Sequence, residues 1–164
     1  TIRGDGAFTS EKGSRVALDG GGMSPQHLAI AGAVWSCTGA AVTVEELSVS
    51  DAAAVTAASA TLITAGRLRV SSATVTLADR DSALVVTGGA GAAGESLVGA
   101  IGPEALLQGP GALRVRSGRV AVTSATVLTP LVLSAAAIQR APALTPSRRD
   151  GAALGPVLTA CAAR

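Results

Sequence analysis

ITAGRLRVSSATV, residues 63–75, and VRSGRVAVTSATV, residues 115–127, are two versions of one pattern. Laid over each other they match at Gly66/Gly118, Arg67/Arg119, Val70/Val122, Ser72/Ser124, Ala73/Ala125, Thr74/Thr126 and Val75/Val127, and Ile63/Val115, Leu68/Val120 and Ser71/Thr123 are conservative pairs. A repeated short strand signal implies stacking: each unit is too thin to close its own apolar face and buries it against its neighbours. The repeat speaks to architecture only, because no residue constellation within it identifies a reaction.

Outward from this pair, the same rhythm runs along the chain. Val16-Ala-Leu18, Leu28-Ala-Ile30, Val42-Thr-Val44, Leu47-Ser-Val49, Val75-Thr-Leu77 and Leu131-Val-Leu133 all alternate apolar and small or polar residues, punctuated by Gly, Ser, Asp or Ala. Such alternation marks short, half-buried strands. Equivalent runs recur at nearly constant steps: Leu47 to Leu68 is 21 residues, Val55 to Val75 is 20 and Leu62 to Leu84 is 22. The middle of the chain divides into coils 42–61, 62–83, 84–112 and 113–133, the third lengthened by a loop insertion at about 87–112. The fold class expected is all-β, a parallel β-helix (solenoid) of short strands with coils of ~20–22 residues over 1–138. An antiparallel β-sandwich is the alternative, since it also strings short strands at intervals of about 8–12 residues. The period near 20 favours the solenoid. Residues 139–164 break the rhythm with Pro142, Pro146, Pro156 and Arg148-Arg149-Asp150-Gly151, and read as a Pro/Ala/Arg-rich tail, linker or short cap.

Composition suits thin layers. Apolar residues make up 48% of the chain, but Phe8 and Trp35 are its only aromatics and Asn is absent, so neither a bulky aromatic core nor an Asn ladder can be built. The net charge of +2 is too small a bias to imply nucleic acid. Cys37 and Cys161 lack metal-site spacing and leave open either a disulfide across a long loop or two free thiols. The chain opens on Thr1 in strand-like sequence and reads as a fragment or mature piece of something longer, so any membrane association is expected only through flanking sequence. The uncharged run 120–139 has the length of a membrane span, but its hydroxyl-rich first half repeats 68–75 and reads as strand.

Candidate chemistry is sparse. Arg67 and Arg69 flank Leu68, Arg114 and Arg116 flank Val115, and Arg119 begins the next run. Alternation turns these arginines outward, where stacked coils would gather them into a basic strip suited to sulfated or carboxylated glycans or phosphates. The same charges also serve simply to solvate a face and discourage edge pairing. Arg3-Gly4-Asp5 is a receptor-recognition triplet when it sits on an exposed loop tip; Gly-Asp-Gly is equally good turn chemistry between Ile2 and Phe8. His27 is expected to face outward. Asp79 and Asp81 are the densest acidic pair and the best candidates for carboxylate catalysis, but they fall where a turn is expected. No catalytic, metal-binding or cofactor-binding set is assigned.

The rhythm LSVSDAAAV, LRVSSATVTL, LRVRSGRVAVTSATV over about residues 14–133 resembles right-handed parallel β-helix proteins of the pectin-lyase-like kind. More loosely it is similar to large repetitive surface proteins on that fold, such as autotransporter passengers and protozoan dispersed-gene-family proteins. No lyase catalytic pattern maps onto this chain. The resemblance therefore implies a non-catalytic structural or adhesive segment of a larger surface or secreted protein, extracellular or at the cell surface, with other coils of the same protein, a polyanionic glycan or a cell-surface receptor as partners. A carbohydrate-active enzyme fragment and a self-associating filament or coat subunit are the alternatives.

Overall fold

The computed structural model describes residues 2–88, 96–133 and 157–160, with side chains over 6–88 and 96–133. The described residues form strands and turns and no helix. The strands are β1 (Ile2–Ser10), β2 (Arg15–Asp19), β3 (Gly22–Ala31), β4 (Val34–Thr38), β5 (Ala41–Ser50), β6 (Ala54–Ala58), β7 (Leu62–Val70), β8 (Thr74–Leu77), β9 (Ala83–Val86), β10 (Leu97–Ile101), β11 (Leu106–Gln108), β12 (Ala112–Val115), β13 (Gly118–Val122), β14 (Thr126–Val127), β15 (Leu131–Leu133) and β16 (Val157–Ala160). One ten-stranded sheet contains the path β1-β3-β5-β7-β10-β13-β16, and a six-stranded sheet runs β14-β11-β8-β6-β4-β2. Apart from β16 on β13, every pairing is parallel. The chain is a parallel β-solenoid of about six turns, which excludes the antiparallel sandwich.

Each coil has three sides, for a reason visible in the sequence. Within β5, Val42, Val44, Leu47 and Val49 are buried, and the alternation resets across Glu45-Glu46. Two successive residues outside the core make the strand turn a corner. The same reset occurs at Gln26-His27 in β3, and β7 turns at Gly66-Arg67, where Gly66 is buried and only Arg67 is exposed. From β9 onward the long strand is divided at this corner, into β9 and β10 and then β12 and β13. The first side therefore stacks Ile63, Leu84 and Leu113; the second stacks Leu28, Leu47, Leu68, Gly99 and Val120; the third stacks Trp35, Val55, Val75 and Leu107.

Left-handed residues turn the other two corners. Asp51, Ala52, Ser72, Glu104 and Ser124 adopt positive φ between the second and third sides. Ser72 (φ 44°) and Ser124 (φ 51°) hold the same corner two coils apart, which explains their place in the repeat. The repeat is in register from Leu68/Val120 to Val75/Val127. Its first part slips by two residues, because Ile63 stacks on Leu84 and Leu113, and Ala65 on Val86 and Val115.

Between the third and first sides, a buried hydroxyl rail takes the place an Asn ladder would fill. Thr61 and Ser82 have no exposed surface. The Thr61 hydroxyl accepts from the Ala40 N–H at 3.3 Å and lies 3.0 Å from the Cys37 carbonyl and 2.6 Å from that of Ala58, either of which it can donate to. The Thr61 N–H donates to the Ser82 hydroxyl at 3.1 Å. Backbone groups that the turns would otherwise leave unpaired in the interior are thereby satisfied.

Three sequence expectations can be placed on the structure. The insertion expected at 87–112 is narrower, because β10 and β11 are regular strands in their columns. The tail contributes β16, which pairs antiparallel with β13 along the end of the second side. The uncharged run 120–139 supplies the end of β13, β14 and β15, and among the described residues no helix is long and apolar enough to cross a membrane.

Candidate functional site

The interior offers no room for chemistry. An internal void of about 10 Å³ is lined entirely by apolar side chains, among them Leu28, Trp35, Cys37 and Leu68. Its size and lining leave it dry. Burial pushes the Cys37 thiol up to about 11 by desolvation, so it remains a neutral core group. Cys161 lies outside the described residues. Among the described residues every charged side chain lies outside the buried core.

The corner between the first and second sides carries the most charge. Its column runs His27, Glu46, Arg67 and, one and two turns on, Leu97 and Arg119. Glu46 lies 3.7 Å from His27 and 3.4 Å from Arg69. His27 is exposed, as alternation predicts, and Arg69 keeps 71% of its side chain in solvent. Such exposed pairs contribute little to stability; they fix where the charges point.

The five arginines read from the sequence are all exposed, but they do not line one face. Arg114 shares its column with Thr64 on the first side, whereas the repeat counterpart of Arg67 is Arg119. Arg67 and Arg69 flank Leu68 on the second side, whereas Arg114 lies on the first side between Val85 and Val132. Arg116 follows β12 at the corner, its N–H donating to the Val86 carbonyl at 2.8 Å, and Arg119 begins the second side beside Leu97. The arrangement is a basic corner with two flanks rather than a flat strip. On the next rung Ala100 stacks on Arg69 and Gly102 lies beside Ser71, and their small size leaves a groove of about 300 Å³ also bordered by Arg67 and Leu97. Nothing in the sequence periodicity marks this groove. It arises where Arg69 and Ser71 are followed on the next rung by Ala100 and Gly102, a relation set by the register.

The other candidates fall elsewhere. Arg3 and Gly4 lie within β1, paired with Ser24 and Pro25, and the register slips between Gly4 and Ala7. Arg3-Gly4-Asp5 thus sits in a strand with a bulge rather than in a turn between strands; its side chains lie outside the described residues. Asp79 is committed to its own turn. One carboxylate oxygen accepts from the Ser82 N–H at 2.8 Å, the Asp81 N–H at 3.0 Å and the Ala60 N–H at 3.4 Å, and the other accepts from the Ser82 hydroxyl at 2.9 Å. Asp81 is exposed in the same turn. The pair therefore does not converge on a space where a substrate bond could sit. Among the described residues no group of three or more His, Cys, Asp or Glu could hold a metal ion.

Asp79 gives the fold a pH dependence. Desolvation alone would raise its pKa, but hydrogen bonds from the Ser82 hydroxyl, then from the backbone of Ser82, Ala60 and Ser59, hold it below the usual carboxylate range. A carboxylate depressed in the folded state stabilises fully above its unfolded value of about 3.9, and that contribution is lost as pH falls through the lower folded-state value. Asp79→Ala is expected to lower the urea midpoint at pH 7, with the gap to wild type narrowing at about pH 2. An equal gap at both pH values would show that the ionised carboxylate does not stabilise the turn.

Comparison with protein-family models, with curated proteins and with solved structures returns no match.

Proposed function

We propose that this chain is a non-catalytic, pectin-lyase-like β-solenoid segment of a larger surface or secreted repeat protein, and that its basic corner binds a polyanionic glycan at or outside the cell surface. One observation supports this reading above the others: Arg67 and Arg69 line one groove with Ala100 and Gly102, and Arg116 and Arg119 lie further along the same corner. Guanidinium groups bind carboxylate or sulfate in a bidentate fashion, and a groove open along a corner admits a chain rather than a single sugar. The enzymatic alternative loses its best acid, because the Asp79 oxygens are occupied by the turn.

Replacing Arg67, Arg69, Arg114 and Arg116 together by Ala is expected to move the protein from salt-eluted retention on a sulfated-polysaccharide column to the flow-through. These exposed side chains carry little of the stability, so the circular dichroism of the strands is expected to stay unchanged. Unchanged retention would remove the basic corner as a binding site.

A further inference from the structure

We infer that the basic corner selects a glycan that carries an anionic group on every second sugar, laid along the solenoid axis with an uncharged ring on Leu97. The inference rests on the reading of this corner as a polyanion site and adds the spacing of the charges it takes. Arg67 and Arg119 each stand one residue before an inward residue of the second side, Leu68 and Val120, and Gly99 stacks between those two. The arginines are therefore two strand spacings apart, about 10 Å.

The rung between them offers an apolar surface instead of a charge. Leu97 lies beside Arg119 and is 59% exposed. Its outward position has a cause in the sequence. Val98 is buried against Gly118, where a Cβ would overlap the Val98 methyl groups, and the register on β13 slips between Leu97 and Gly99. With Val98 turned in, Leu97 is turned out, at the groove that Arg67 and Arg69 border. Ala100 and Ala121 follow Arg69 in the neighbouring column, which adds no cation to the middle rung.

This order of residues sets a preference. Rungs rise by about 4.8 Å, close to the advance of one ring in an extended β-linked glycan, so successive rings fall on Arg67, Leu97 and Arg119. Carboxylates on alternate rings meet the two arginines as charge-assisted, bidentate pairs, and the C–H face of the ring between them covers Leu97. A carboxylate on the middle ring would lose water against an apolar side chain and gain no partner. Glu46 sets the direction. It is the partner of Arg67 on the rung before and lies 3.4 Å from Arg69, so an anionic chain is repelled on that side and runs from Arg67 toward Arg119.

The full chain is titrated calorimetrically, at one ionic strength, with two oligosaccharides of equal length: a hyaluronan oligomer, with a carboxylate on every second sugar, and an oligogalacturonate, with one on every sugar. Wild type is expected to bind the hyaluronan oligomer about tenfold tighter, although general charge attraction favours the denser chain. Leu97→Arg, and Leu97→Lys as a second variant, place a cation on the middle rung and are expected to reverse the preference. Strand circular dichroism and the emission of buried Trp35 report that each variant is folded. Equal affinities, tighter binding of the galacturonate by wild type, or a hyaluronan preference that both folded variants retain would overturn the inference and leave the polyanion site standing. Binding of neither oligosaccharide would also overturn it, and retention on the sulfated-polysaccharide column then decides whether the polyanion reading falls with it.

Discussion

Trp35→Ala lowers the stability of the fold by about 3–5 kcal/mol, read as a fall in the urea midpoint with the strand circular dichroism of the folded state retained. Trp35 is 1% exposed and is the largest fully buried side chain of the described residues. It stacks between Val16 and Val55 in the third-side column and meets Phe8 edge-on, with ring centroids 5.8 Å apart at 83°. Its column otherwise holds mostly Val and Leu, which cannot swing in to fill the space left by an indole. Truncation therefore removes buried area and leaves a cavity, the costs that add in large-to-small substitutions. Trp35→Phe separates packing from polarity. The indole Nε1–H has no hydrogen-bond partner, so removing it relieves an unpaired buried donor, a cost of about 1–3 kcal/mol that offsets part of the lost volume. The Phe variant is expected to lie much closer to wild type than the Ala variant. Equal losses in both would show that the indole ring is not what fills this coil.

Gly109→Ala is expected to cost about 3 kcal/mol or more, seen as a drop in thermal midpoint large enough to leave the protein partly unfolded at 37 °C. Gly109 has φ 108°, a conformation that an L side chain rarely adopts. A Cβ at this position would overlap the Leu77 carbonyl oxygen and come within 2.8 Å of the carbonyl carbon. Both are backbone atoms of the rung above, and the same carbonyl accepts the Gly111 N–H at 3.1 Å. Neither strain nor clash can be relieved by a rotamer change. Gly13→Ala is the control. Gly13 has φ 83° but nothing within 4 Å of a would-be Cβ, so it bears only the conformational cost. Equal losses at the two positions would remove the close rung-to-rung approach as the cause.

The stacking was legible because the chain repeats what each rung needs. Val70, Ser72, Ala73 and Val75 are an inward residue, a left-handed corner, a small residue inside the turn and the next inward residue; Val122, Ser124, Ala125 and Val127 repeat the series. The third side was hidden in what seemed a flaw in the alternation. Glu45-Glu46 is a polar doublet between buried Val44 and Leu47, and such a doublet at equivalent steps is the signal of a corner. The hydroxyl rail gave no comparable signal, because Thr61 and Ser82 look like ordinary turn residues until their burial is known. The arginines were visible as outward residues, but their sides were not. Arg67 and Arg114 occupy similar-looking local sequence, each followed by an apolar residue and a second Arg, but Arg114 stands before the corner in the column of Thr64 and Arg67 stands after it beside Glu46. The Asp79 turn shows the reverse. Acidic density suggested chemistry, and the hydrogen bonds assign it to structure.

The parallel stack itself is tested by distance along one column. Thr43, Thr64, Val85, Arg114 and Val132 are successive partners on the first side, so Thr43 and Val132 are separated by four strand spacings. At about 4.8 Å per step their Cα atoms lie ~19 Å apart, and Thr43 and Arg114 lie ~14 Å apart. Spin labels at Thr43→Cys with Val132→Cys, or with Arg114→Cys, in a Cys161→Ser background and diluted with unlabelled protein, measure both separations by pulsed dipolar and continuous-wave spectroscopy. A parallel solenoid gives distances centred near these values that differ by one strand spacing. Separations that exceed them by ~10 Å or more, as for strands on opposed sheets, or that are equal for the two pairs, would contradict it.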